Sequence, residues 1–232
     1  MKKTSLILTA GLLLQLGTRV YATPSTQVWN PSTDIQAAGS VHLGVDNYFS
    51  LFDNDTKPYA FATDVGLTFG VLKNLELGFD FFEPSADPLQ FNAKYGLPES
   101  GALPAFAVGG CNIGTKKDVT DYNILYGVAA KTFAPAGRIS LGYYYGGNEN
   151  LFLDENGEKS NTGIIATWDK AITDKIWAAV DYASGKSWYG NLSLGASYAF
   201  APNTSVIFGY VIYNNDKINA NNQFTTQLDI NF

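Results

Sequence analysis

The sequence predicts an all-β chain, a transmembrane antiparallel up-and-down β-barrel of about 12 strands. Three observations lead there. About a dozen segments alternate apolar and polar residues with the period of two that a strand imposes. The composition sets 15 Phe and 14 Tyr beside 23 Gly, which suits strands with rings on one face and very small residues on the other. Beyond the first 22 residues, no apolar run approaches the ~20 residues that a membrane helix needs.

Taken in order, the chain opens with Lys2 and Lys3, a short apolar stretch from Leu6 to Leu14, and the small-residue cleavage positions of Val20-Tyr21-Ala22. Residues 1–22 therefore read as a secretory signal, and the mature chain is expected to begin near Thr23. This segment holds three of the 15 Lys+Arg and none of the 21 Asp+Glu, so the mature net charge is −9. Residues 23–38, interrupted by Pro24 and Pro31, are too proline-broken for a membrane strand and form a leader. The barrel itself spans 39–232. Its strands are expected at 39–50, 59–70, 75–83, 89–97, 104–113, 122–133, 138–147, 162–169, 176–184, 190–200, 205–213 and 222–232. Tyr59, Phe61, Val65, Leu67 and Phe69 alternate with Ala60, Ala62, Asp64, Gly66 and Gly70 in the clearest of them. The fifth (Phe106, Val108, Gly110) is the weakest of the twelve, because its apolar face is short and glycine-rich, and a longer periplasmic connection is the alternative there.

The last strand ends the chain on an aromatic residue. Phe224, Leu228, Ile230 and Phe232 share one face, with Gln223, Gln227, Asp229 and Asn231 on the other. An exported chain of alternating strands that ends this way resembles the outer-membrane β-barrels of Gram-negative bacteria, a porin- or channel-like superfamily. The resemblance implies an outer-membrane location among lipid and lipopolysaccharide. It also implies recognition of the terminal strand to Phe232 by the barrel assembly machinery. The connections fit the scheme. Tight turns at Val71–Asn74, Pro98–Leu103, Ala134–Gly137, Lys170–Lys175 and Ala201–Thr204 would face the periplasm. Polar links at Phe52–Lys57, Pro84–Pro88, Gly114–Asp121, Gly147–Asn161, Gly185–Tyr189 and Asn214–Asn221 would face outward. The 23–38 leader would then be periplasmic or folded into the lumen, and the residues do not choose between them.

Alternation alone does not say whether the apolar face meets lipid or a dry core, since a soluble barrel or sandwich has the same period inverted. Three features favour lipid. The apolar register is expected to carry no Asp, Glu, Lys or Arg, as a bilayer requires. Tyr59, Phe69, Phe81, Tyr122, Tyr145, Trp168, Tyr182, Phe200, Tyr210 and Phe232 fall near strand ends, where interfacial girdles form. The other register is rich in Gly, Ala and Ser, which leave room inside a closed barrel.

Any chemistry must then lie in the lumen. The inward register is expected to hold His42, Asp46, Asp64, Glu76, Asp80, Lys94, Lys131, Arg138, Asp169, Asp181 and Asp229, an excess of acids over bases. Asp46, Asp64 and Asp80 fall at similar upper heights on neighbouring strands, with Asp181 across from them. Lys131 and Arg138 fall near the periplasmic end. A narrow aqueous path lined this way would pass small hydrophilic solutes with a mild cation preference. The same charges could instead pair across strands, as Asp80 with Lys94, and rigidify a closed lumen. That alternative is a structural or adhesive barrel acting through its loops, with Leu151-Phe152 and Trp188-Tyr189 as contact points or as upper-girdle residues. Known channels for acidic oligosaccharides are expected to need a basic lumen, which this chain lacks.

The remaining signals are weak. The sole histidine, His42, reads as a hydrogen-bonded filler, with no nucleophile placed beside it, so no enzyme is expected. The single cysteine, Cys111, is expected to be a buried structural thiol that can form no internal disulfide. Asp53-Asn54-Asp55 and Asp154–Glu158 lack the full calcium-loop pattern, and no cofactor or metal is expected. The acidic surface argues against nucleic-acid binding.

Overall fold

The computed structural model describes residues 24–51, 61–218 and 221–232. The segment Met1–Ala22, Thr23, Tyr59 and the Phe52–Lys57 link with Asp53-Asn54-Asp55 lie outside them. Twelve strands follow: β1 (Val41–Phe49), β2 (Phe61–Leu72), β3 (Leu75–Glu83), β4 (Leu89–Leu97), β5 (Ala105–Gly114), β6 (Ile124–Phe133), β7 (Gly137–Gly146), β8 (Thr162–Ala171), β9 (Ile176–Ala183), β10 (Asn191–Ala201), β11 (Thr204–Tyr213) and β12 (Gln223–Asn231). Each pairs antiparallel with the next, and β1 closes on β12 through the register His42↔Asn231 to Phe49↔Phe224. Both ends of the barrel chain therefore lie at the rim where the tight turns are. The other rim carries the longer loops, one with a short 3-10 helix at Glu149–Leu151.

The pleat sorts the side chains into two registers. On β11, Ile207 and Val211 are fully buried while Phe208 between them is 58% exposed. Leu125, Leu141 and Ile164 are also exposed on the same outer surface, forming an apolar belt of the kind that lipid covers. The expectation of a charge-free outer register needs correction. Glu83, Lys131 and Lys170 all point outward, each at or near a strand end. For Lys131 the reason is its register: it faces exposed Ile139, while buried Ala130 faces buried Ser140. Lys131 is thus outside the lumen, where its ammonium reaches Glu99 Oε1 (2.7 Å) and the Gly101 carbonyl (2.6 Å) at the turn rim. Near the interface a charge costs little compared with the midplane, so strand-end charges are tolerated.

Strand five is real, and its weak signature has a cause. Between Phe91↔Ile113 and Ala93↔Gly110 the β4–β5 register shifts, and Asn112 adopts φ +50°. The bulge turns both Cys111 and Asn112 toward the interior, which breaks the alternation. Cys111 is half-buried at the lumen wall rather than sealed in a core.

The leader folds into the barrel. Residues 25–32 form a hairpin through Thr26↔Pro31, with Ser32 N–H donating to Ser25 O (3.1 Å) and Gln27 N–H to Asn30 O (2.8 Å). The chain then descends to the turn rim, where Gly39 N–H donates to Gly70 O (2.7 Å) and Gly70 N–H to Ser40 O (3.1 Å). Gly70 is required there, because a Cβ would lie 1.9 Å from Ala37 O. The tip residue Val28 packs with Trp177, Ala179 and Ile207. A second cluster of Ile124, Val128, Tyr144, Phe152, Ile165, Ala183 and Tyr189 fills the β6–β10 side. Phe152 (0% exposed) and Tyr189 (4%) therefore fold into the mouth. They are neither girdle residues nor outward contact points. Tyr122 is corrected likewise: it packs against Phe152 and Trp188 inside the mouth.

Candidate lumenal cavity

With one side of the lumen filled, the β1–β5 side holds a cavity of about 310 Å³. It runs from His42 and Glu76, near the turn rim, to Tyr48, Phe82, Tyr122 and Tyr213 at the loop rim. The hairpin residues Ser25, Thr26, Val28, Trp29 and Pro31 form part of its wall. Asp46, Asp64 and Asp80 line it from three adjacent strands. Asp46 and Asp64 are direct register partners, and Asp80 faces Gly66 beside them. Asp80 accepts from Asn92 Nδ2, while its second oxygen lies over Gly66. None of the three carboxylates has an ion-pair partner among the described residues.

The deeper charges are tied down. Glu76 and Lys94 are cross-strand partners 3.1 Å apart, so Lys94 pairs with Glu76 and not with Asp80, which faces Gln90. Ser25 Oγ and Gln36 N–H donate to Glu76 at 2.8 and 2.6 Å, and Lys94 Nζ donates to Ser25 O at 3.0 Å. This cluster lies between the upper cavity and a second one of about 370 Å³ at the turn rim, bordered by Thr33, Asp34, Glu99 and Arg138. Arg138 bridges Asp34 (2.7 Å) and Asp169 (2.9 Å), and Asp169 also accepts from Gln27 and Trp177. His42 Nε2 lies 3.5 Å from Asp229, its Nδ1 3.2 Å from Asn231 Oδ1, and Ser205 Oγ donates to Asp229.

Asp181 departs most from its expected place across from the acidic trio. It is fully buried and does not border the cavity. One carboxylate oxygen accepts from the N–H groups of Val28, Trp29 and Asn30 at 3.2, 2.8 and 2.8 Å; the other accepts from Asn30 Nδ2 at 2.5 Å. Three successive N–H groups converging on one oxygen make an anion-holding turn, with the anion supplied by the barrel wall. Trp29 then stands among Tyr48, Trp188, Tyr189 and Tyr213 at ring-centroid distances of 5.5–6.2 Å. Sequence reasoning left open that the leader folds into the lumen but did not find the hairpin or its seat on Asp181. The available signal was a Gln-Val-Trp-Asn turn between Pro24 and Pro31, with an apolar ring in a segment otherwise unsuited to a strand.

A closed twelve-stranded antiparallel barrel with an apolar outer face and a charged interior is the fold class these observations define. Solved structures agree. The chain is similar to the KdgM porin with a TM-score of 0.53 and 8% identity, covering 83% of this chain and 98% of that one. It is similar to the NanC porin with a TM-score of 0.51 and 12% identity, covering 82% and 98%. A further KdgM structure, in complex with disordered oligogalacturonate, matches as well as the first. At these identities the likeness is one of fold. No protein-family model and no curated protein matches the sequence.

Proposed function

We propose that the protein is a bacterial outer-membrane channel for passive passage of small hydrophilic solutes, mildly preferring cations. The observation that carries this reading is the cavity along β1–β5 with Asp46, Asp64 and Asp80 on one wall and no lysine or arginine paired to them. Carboxylates in a narrow low-dielectric path attract cations and repel anions. The KdgM porin was seen with oligogalacturonate, a polyanion. Three carboxylates without an ion-pair partner on the cavity wall disfavour such a ligand here.

One observation favours a second reading, the closed barrel. The hairpin and the Glu76–Lys94 cluster occupy the lumen between the two cavities. Conductance of the refolded protein in a planar bilayer under a KCl gradient separates the two. Discrete steps with a cation-selective reversal potential are expected, with selectivity lost in Asp46→Asn/Asp64→Asn/Asp80→Asn. Silence from folded protein would establish the closed barrel, and anion selectivity would discard the role of the trio.

A further inference from the structure

We infer that the acidic cavity is a binding site for a small organic cation that also carries an acceptor oxygen, as an amino alcohol does. This narrows the solute class of the proposed channel and rests on that reading only for the route of arrival. Asp46 and Asp64 face each other directly across β1 and β2. Like charges in that position are destabilising, and a cation bound between them relieves the repulsion. Asp64 Oδ1 is enclosed and has no hydrogen-bond partner.

A second, independent feature points to a ligand. Gln90, 1% exposed, lines the same cavity and faces Asp80 across β3 and β4. Its Oε1 accepts from Asn112 Nδ2 at 2.8 Å, which leaves Nε2 as an enclosed donor without an acceptor. A carboxylate wall and an unused amide donor together ask for a positive charge and an oxygen in one molecule. Tyr48, Tyr126 and Trp188 line the same space, and ring faces attract alkylammonium groups.

An inorganic ion fits less well. Among the described residues no three His, Cys, Asp or Glu side chains converge to hold a metal. A space of about 310 Å³ is also far larger than one ion with its ligands requires.

Isothermal titration of the refolded full barrel in detergent tests the site. The probes are choline chloride, its uncharged isostere 3,3-dimethylbutan-1-ol, and tetramethylammonium, which lacks the hydroxyl. Choline is expected to bind, at least tenfold more weakly to Asp64→Asn and to Asp46→Asn, with the isostere weaker by a similar factor. Gln90→Leu is expected to weaken choline while leaving tetramethylammonium unchanged. Heat-modifiable gel mobility checks that each variant is folded. Equal binding of choline and its isostere, unchanged choline affinity in both Asp→Asn variants, or displacement by equimolar KCl would overturn the proposal. Cation-selective conductance without choline binding sinks the site and keeps the channel; choline binding to a silent barrel does the reverse.

Discussion

Replacing Asp181 by Ala tests what holds the hairpin in the lumen. The substitution removes the acceptor for three backbone N–H groups and one side-chain amide at a site with 0% exposure. A hydrogen bond to a charged acceptor contributes about 1.5–3 kcal/mol, and deleting one partner of a buried charged contact costs about 3–5 kcal/mol. The four bonds share one carboxylate and are not additive, so about 3–5 kcal/mol is the expected loss of docking stability. At 1.36 kcal/mol per decade, the undocked population rises roughly 10²- to 10⁴-fold. Hydrogen exchange read by mass spectrometry on the peptide covering residues 25–33 should lose protection by that factor. The β-strands should keep theirs, because the wall ladders do not involve the Asp181 side chain. Asp181→Asn retains one acceptor oxygen and should fall between the two. Unchanged protection of the tip in Asp181→Ala would refute the claim that this carboxylate anchors the hairpin.

Two further outcomes are expected. Cys111, the only cysteine in the chain and a lining residue of the cavity, should react at least tenfold faster with a cationic than with an anionic methanethiosulfonate reagent at low salt. The difference should shrink as ionic strength rises, and equal rates at low salt would remove the acidic field from the account. At the turn rim, hydrogen bonds from Lys131 and Thr132 hold the Glu99 carboxyl below its ordinary range. Because the folded value is depressed, the stabilisation is present above the unfolded-chain value and disappears as pH falls through the folded one. An NMR titration should place the Glu99 midpoint below that of a free glutamate, and Lys131→Met should raise it; a midpoint unmoved by that variant would exclude the contact.

The strand pattern was legible because each strand has two solvents, and the residues sort accordingly. Phe61, Leu77 and Phe81 gave the outer face of β2 and β3, and the structure exposes all three. The acidic trio followed from the same parity. Lys131 was misplaced because long side chains at strand ends reach the interface from the lipid-facing register, so charge alone does not report which way a strand-end residue points. Asp181 faced inward as parity requires, yet its partners come from a segment 151–153 residues away, and no local pattern encodes that contact. Tyr122, Phe152 and Tyr189 read as interfacial rings because aromatic residues near strand ends look the same whether a loop turns outward or folds over the mouth. At β5 the two-versus-one count of a bulge erased the alternation that reveals other strands.

The distance in sequence between the hairpin tip and its seat also dictates an order of construction. Val28 and its neighbours belong to the start of the described chain, but their acceptors and packing partners lie on β9, β11 and β12; Gln227, which donates to Val28 O, is 199 residues away. Until those strands are in place the tip has nothing to rest against. The ends of the strand array, β1 and β12, meet only when the cylinder shuts. The hairpin can therefore take its seat only once those strands are in place, and until then water fills the space it will occupy.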